Sequence, residues 1–258
     1  MTRTTRLVLL VCAAASLGCG GSQRARTGKY AEDAQIAYEE AMDSFRDEDC
    51  LEAGPLFRDV RRKYPYSRFA SLAELRSADC LFIDGKYSEA VQAYRQFVRN
   101  RPSHSEVPYA RFKVAEAYYK QIPDSWFILA PAEEKDQVTT REALLELRRF
   151  VLDYTDDPRA KKADRMAQEA MTLLGKHEFY VAEFYYKRDF YRAAIIRLNT
   201  LLAVYPGSGI EPQALLMLGR SFVEIGDKSR AKRAFERLVA EYPTSGDADD
   251  ARSELKSL

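Results

Sequence analysis

Tryptophan occurs once in this chain of 258 residues and histidine only twice. Neither His104 nor His177 has a serine, cysteine or metal-spaced partner nearby, so each reads as a structural histidine, not a catalytic base or a ligand. A phosphate-cradling glycine loop, HExxH and GxSxG are all missing. The sequence therefore argues against an enzyme and offers no cofactor and no metal site. The acidic group Asp247, Asp249 and Asp250 could suggest a cation, but just after a proline it more simply complements a helix start. Sustained period-two alternation and Asn-Gly turns are also lacking, which removes the strand signals. No apolar run reaches the roughly 20 residues that span a bilayer. Charge of one sign is lacking as well. With 40 basic and 39 acidic residues, there is no global field to draw in nucleic acid.

What the chain does have begins at its N-terminus. Arg3 and Arg6 precede an apolar run from Leu7 to Gly18 that ends in "SLGCGGS", the pattern of an export signal over residues 1–18. Cys19 sits directly after Leu17-Gly18, where a bacterial lipoprotein peptidase cuts, with Ser16 where Leu is commonest. Cys19 is thus the expected lipidation site, acylated with palmitate-type chains that hold the mature chain on a membrane. The alternative is an ordinary signal with an incidental cysteine. Residues 19–30 read as a lipidated flexible linker. Cys50 and Cys80 remain in the mature chain; they could pair in an oxidising compartment, but two buried thiols are the simpler reading.

A repeat organises the rest. Ala41, Ala78 and Ala115 are spaced 37 apart, as are Ala182 and Gly219, while Ala53, Ala90, Ala194 and Ala231 each follow a partner by 12. Small residues at these points let two antiparallel helices approach, and Phe57, Tyr94 and Phe235 fill the space beside them. Pro65, Pro102, Pro206 and Pro243 close each second helix, because proline lacks the N–H that a helix needs. Tyr-Pro-x-Ser, at Tyr64, Tyr205 and Tyr242, is then punctuation: tyrosine packs the end, proline stops the helix and serine can cap the next. The expected fold is all-α, a tetratricopeptide-repeat superhelix of five helical hairpins with a C-terminal capping helix.

Two departures break the lattice. Ala115 and Ala143 are 28 apart, so an insert lies near residues 121–136, "QIPDSWFILAPAEEKD", either packed down as a plug or left as a binding surface. Ala143 and Ala182 are 39 apart where 25 is regular, which predicts one long helix from near Arg159. This divides the chain into a front module of three repeats, residues 31–157, and a rear module, residues 158–258, with the long helix, two repeats and the cap.

The stretches "KYPYSRFASLAELRSADCLFIDGKYSEAVQAYRQFV" and "HEFYVAEFYYKRDFYRAAIIRLNTLLAVYPGS", with the lipid cysteine, five repeats and the insert in the third, resemble the BamD family of YfiO-type lipoproteins. One departure is "RPSHSEVPYA", where the family often has a proline and this chain has Ser105. The resemblance implies a non-enzymatic subunit of the β-barrel assembly (BAM) complex, lipid-anchored at the periplasmic face of the outer membrane. It implies rear repeats that bind the POTRA domains of a BamA-like partner and front repeats that receive unfolded outer-membrane protein clients. Arg197, with Arg192 further out, matches the arginine that meets an acidic group on the last POTRA domain. Tyr66, Phe69, Tyr118, Tyr119 and Trp126 are candidates for a client groove, although aromatics at helical spacing are more often core. The competing reading is another envelope repeat lipoprotein, serving pilus assembly or cell-wall coordination.

Overall fold

The computed structural model describes residues 20–122 and 131–258, with side chains from residue 28 onward. Among them are eleven α-helices, no strand and one 3-10 turn. The helices are α1 (Gly20–Arg46), α2 (Cys50–Lys63), α3 (Arg68–Ile83), α4 (Tyr87–Asn100), α5 (Val107–Tyr119), α6 (Val138–Asp153), α7 (Ala160–Tyr186), α8 (Tyr191–Val204), α9 (Glu211–Glu224), α10 (Lys228–Glu241) and α11 (Gly246–Ser257). They make five hairpins and a terminal helix, the tetratricopeptide-repeat class expected. The chain divides into two compact units within α3, one running to Glu74 and the other Leu75–Leu258. In the second unit, from α4 onward, each helix packs on its neighbours in sequence. α1 runs through the segment expected to be a flexible linker, and no proline precedes Pro55 to interrupt it.

Packing follows the small-residue lattice. Ala41, Ala53, Ala90, Ala115, Ala143, Ala182, Ala194 and Ala231 have no accessible surface at all, and Phe57, Tyr94 and Phe235 are equally buried. At Gly219 the reason is steric. A Cβ there would stand 2.2 Å from the Phe235 ring, so only glycine lets α9 and α10 close on that ring.

The punctuation works as chemistry predicts in two of three places. Tyr64, Tyr205 and Tyr242 cap the C-termini of α2, α8 and α10, each passing its N–H back to a carbonyl one turn earlier. Ser67 and Ser245 then accept from the N–H groups of Ala70 and Ala248, starting α3 and α11. Ser208 does something else. Glu211, buried in the first turn of α9, accepts hydrogen bonds from the backbone N–H groups of Gly207, Ser208 and Gly209 at 2.5, 2.9 and 2.9 Å. The turn is pressed so tightly on α7 that a Cβ at Gly175 would meet the Ser208 Cβ at 2.6 Å. Gly175 in the long helix is thus a packing glycine.

The long helix expected from near Arg159 is α7, of 27 residues, about 40 Å at 1.5 Å per residue. It ends where Asp189 turns to φ 62°, a left-handed conformation that aspartate tolerates. The described part of the insert is packed down: Ala132 is buried, the Gln137 amide donates to the carbonyls of Ala132 and Lys135, and His177 of α7 donates from Nδ1 to the Glu133 carbonyl at 2.6 Å.

Two buried carboxylates join helices in the second unit. Asp79 of α3 accepts from the phenols of Tyr94 (α4) and Tyr109 (α5) at 2.5 and 2.9 Å and pairs with Arg76 at 2.6 Å. Burial, then the Asp79 charge, pushes both phenols well above their usual range. Glu116 of α5 is held by Lys113 at 2.7 Å and by Lys162 of α7 at 2.6 Å. Burial opposes its charge, but the two lysines outweigh burial and hold its carboxyl below the usual range.

Two outcomes are expected. In Gly219→Ala the methyl group meets a ring that cannot retreat, and overpacking of about 1–3 kcal/mol exceeds the helix-propensity gain of up to about 1 kcal/mol, so the denaturation midpoint falls. A folded-state value lowered below the unfolded one contributes stability that is complete above the unfolded value, about 4.3 for glutamate, and is lost as pH falls through the lowered one. The acid limb of a stability-against-pH curve should therefore be shallower in Glu116→Gln than in the parent.

Candidate functional site

The rear candidate residues lie where α7 meets α8. The buried stripe of α8 is Ala194, Ile195, Leu198 and Leu201, which leaves Arg192 and Ile196, one turn apart, on its exposed face. Ile196 is 65 % exposed and Phe190, just before the helix, 61 %. Arg197 stands at the edge between stripe and surface. Its guanidinium donates to the carboxylate of Glu178 on α7 at 3.3 Å, and the Glu178 side chain is almost wholly buried while that of Arg197 is 42 % exposed. Arg197 therefore has an intramolecular partner and still presents part of its fork outward. At the end of α7, Phe184 is partly exposed with the Arg188 guanidinium stacked 3.6 Å from its ring centre. The α7–α8 hairpin thus carries exposed arginine, phenylalanine and isoleucine side chains. The sequence pointed to Arg197 and Arg192, but Glu178 and the exposure of Ile196 and Phe190 were hidden: an apolar residue declares its face only once the helix is docked.

The front aromatics separate. In the first unit Tyr66 is 95 % exposed in the turn before α3, while Phe69 is buried with its ring 5.4 Å from that of Tyr38. Phe69 is thus core and not part of a groove, because the first turn of α3 presents it inward. In the second unit Tyr118 and Tyr119 are both partly buried at the end of α5. Arg95 lies over the Tyr118 ring at 5.4 Å, and the Tyr119 phenol donates to Glu169. Both tyrosines are anchored at the edge of the helix and keep part of their rings in solvent. Trp126 and Cys19 lie outside the described residues.

The remaining chemistry-bearing residues have structural partners. His104 accepts the Glu106 N–H at 3.1 Å and meets Phe97 edge-on. Asp249 and Asp250 pair with Arg252 and Arg220, and Asp247 lies in the first turn of α11, where the helix dipole favours it. Cys50 and Cys80 are buried and are not joined in a disulfide. Among the described residues no group of histidine, cysteine and carboxylate side chains is arranged to hold a metal ion.

Hairpins closed by small residues and a C-terminal helix over the last pair define a helical-repeat protein of the tetratricopeptide class. The family model described as "YfiO: Outer membrane lipoprotein" matches residues 30–234, and the tetratricopeptide-repeat model matches residues 216–255. The chain belongs to the YfiO family of outer membrane lipoproteins. Its relatives include the outer membrane protein assembly factor BamD of Caulobacter vibrioides, 26% identical over 238 residues that cover 92% of this chain and 75% of the relative. BamD of Neisseria meningitidis serogroup A is 25% identical, covering 89% and 90%. BamD of Xylella fastidiosa strain 9a5c is 24% identical over 72% of this chain and 65% of its own length. Among solved structures, the TPR2AB domain of yeast Sti1 overlays loosely, with TM-score 0.44 and 8% identity over 88% of this chain and 84% of the other.

The Arg197–Glu178 pair sets the expected behaviour of variants. Arg197→Gln leaves the almost wholly buried Glu178 carboxylate without its cation and should cost more than the roughly 0–1 kcal/mol of a fully exposed pair. Arg197→Glu instead sets a second carboxylate against buried Glu178. Thermal unfolding followed by circular dichroism should show a clearly larger loss for Arg197→Glu than for Arg197→Gln at neutral pH.

Proposed function

We propose that this chain is the lipid-anchored, non-catalytic subunit of the machinery that assembles β-barrel proteins in the outer membrane. The observation that carries this reading is similarity over 92% of the chain to a protein named as an outer membrane protein assembly factor. Cys19 supplies the anchor, and several acyl chains at about 0.8 kcal/mol per buried CH₂ hold the chain at the periplasmic face. The rear module, residues 158–258, docks on the POTRA domains of a BamA-like partner, with Arg197 and Arg192 offering charge and Phe190 and Ile196 apolar surface. Such a mixed surface of arginine and large apolar side chains is the composition of interface hot spots. The front module, residues 31–157, receives unfolded outer-membrane proteins; Tyr66, Tyr118 and Tyr119 supply partly accessible rings there.

The test is purification of the tagged protein from outer membranes. Recovery of a POTRA-bearing partner supports the reading, whereas recovery of a pilus secretin or of cell-wall enzymes in its place overturns it. Arg197→Gln is the variant to use, since it spares Glu178 a like charge; loss of a charge pair at the interface should weaken partner recovery by about 2–5 kcal/mol if the pair is desolvated there. Cys19→Ser should leave an unprocessed or soluble form, read by fractionation.

A further inference from the structure

A second surface in the larger unit carries charge that the rear docking surface does not use. Helices α4, α5 and α6 enclose a cleft of about 350 Å³ whose basic lining is entirely arginine: Arg95, Arg99, Arg111 and Arg149. Arg95 and Arg99 lie one turn apart on α4, Arg111 belongs to α5 and Arg149 to α6. Glu146 is the acidic lining residue, and it is engaged: Arg95 donates to it at 2.6 Å while stacked on Tyr118. Among the described residues, Arg99, Arg111 and Arg149 form no ion pair, so the cleft lining carries three arginines that no carboxylate holds, against one glutamate that is already engaged. The apolar lining comes from Val98, half-buried, and Val114, buried.

Like charges gathered in a recess raise each other's energy, and a bound anion relieves this. Guanidinium forks suit a planar carboxylate, which they hold bidentately. The shape narrows the choice further. The recess sits at the lower end of the range of small-ligand pockets, and its lining includes half-buried Arg111 and buried Val114, which a side chain entering the cleft reaches more readily than a flat membrane surface. An extended peptide fits, because its side chains can enter one at a time at about 3.3 Å per residue.

We propose that the α4–α6 cleft binds an extended acidic segment of an unfolded polypeptide, a carboxylate seated among Arg99, Arg111 and Arg149 and an adjoining apolar side chain on Val98 and Val114. Arg95 is the positioning residue, fixed by Glu146 and Tyr118. The proposal rests on the reading of this chain as a receiver of unfolded outer-membrane proteins, and adds which chemistry is received and where.

The test uses the purified full chain and a short fluorescent peptide of alternating Asp and Leu, read by anisotropy, beside the same peptide with Asn for Asp. Binding of the Asp peptide is expected to fall as salt is added. It should weaken roughly tenfold or more, the loss of one charge-assisted hydrogen bond, in Arg149→Gln, an exposed position where folding is not at stake, and further in the variant that combines it with Arg99→Gln and Arg111→Gln. Arg233→Gln on the exposed side of α10 controls for net charge. Equal binding of the Asp and Asn peptides, or undiminished binding by the combined variant, overturns the proposal. So does a cleft needed for binding phosphatidylglycerol vesicles and not for the peptide. Because the peptide assay uses the isolated chain, its failure leaves co-purification with the assembly machinery untouched, and a failed co-purification leaves the peptide result standing.

Discussion

The close approach of two antiparallel helices at a pair of small side chains is the constraint on which the rest of this structure depends. Where the backbones meet at Ala78 and Ala90, or at Ala115 and Ala143, there is no room for a longer side chain, and both members of each pair lie in one apolar cluster. The aromatics do not make the contact; they fill the wedge beside it. Phe235 shows the dependence most directly, since its ring occupies the volume in which any Cβ at Gly219 would stand. Each hairpin is therefore a unit of fixed geometry, and repetition of that unit is repetition of one packing solution.

Polar groups inside such a stack have to be satisfied locally, and the chain does this with carboxylates placed where helices converge. Asp79 draws in one phenol from α4 and one from α5, Glu116 links α5 to α7 through Lys162, and Glu211 gathers three backbone N–H groups of the turn that precedes α9. A carboxylate is apt for each task because it accepts several hydrogen bonds at once, and left alone in the interior it would be costly. Glu178 differs. Its ion-pair partner, Arg197, is half-exposed and reaches it at 3.3 Å, so the charge of this buried group is balanced at the rim of the protein.

Two surfaces in the larger unit follow from this division between packed interior and unspent charge. One, at the α7–α8 end, offers arginine beside exposed phenylalanine and isoleucine; the other, between α4, α5 and α6, offers four arginines and one glutamate over valine. Their chemistries differ enough to suit the different partners proposed for them, a folded domain in the first case and an extended acidic chain in the second. A family of outer membrane lipoproteins with relatives named as assembly factors is a setting in which both kinds of contact have a use.

The class of fold, the five hairpins and the long helix were legible in the chain itself, because they rest on spacing: a 37-residue period, a 12-residue offset and prolines that end helices leave marks in one dimension. Burial of the two cysteines and the structural roles of the histidines were legible for a related reason, the absence of partners nearby in sequence. Position on a surface was not. Phe69 and Tyr66 are three residues apart, yet one ring is core and the other is in solvent, a difference set by where α3 begins. Arg197 could be singled out by resemblance, but its pairing with Glu178 requires α7 and α8 to be laid side by side. The arginines of the α4–α6 cleft come from three helices separated by up to 54 positions, Arg95 to Arg149, and no local pattern links them. Only packing brings such residues together, because a site made across helices depends on distances in space that a linear order of residues does not contain.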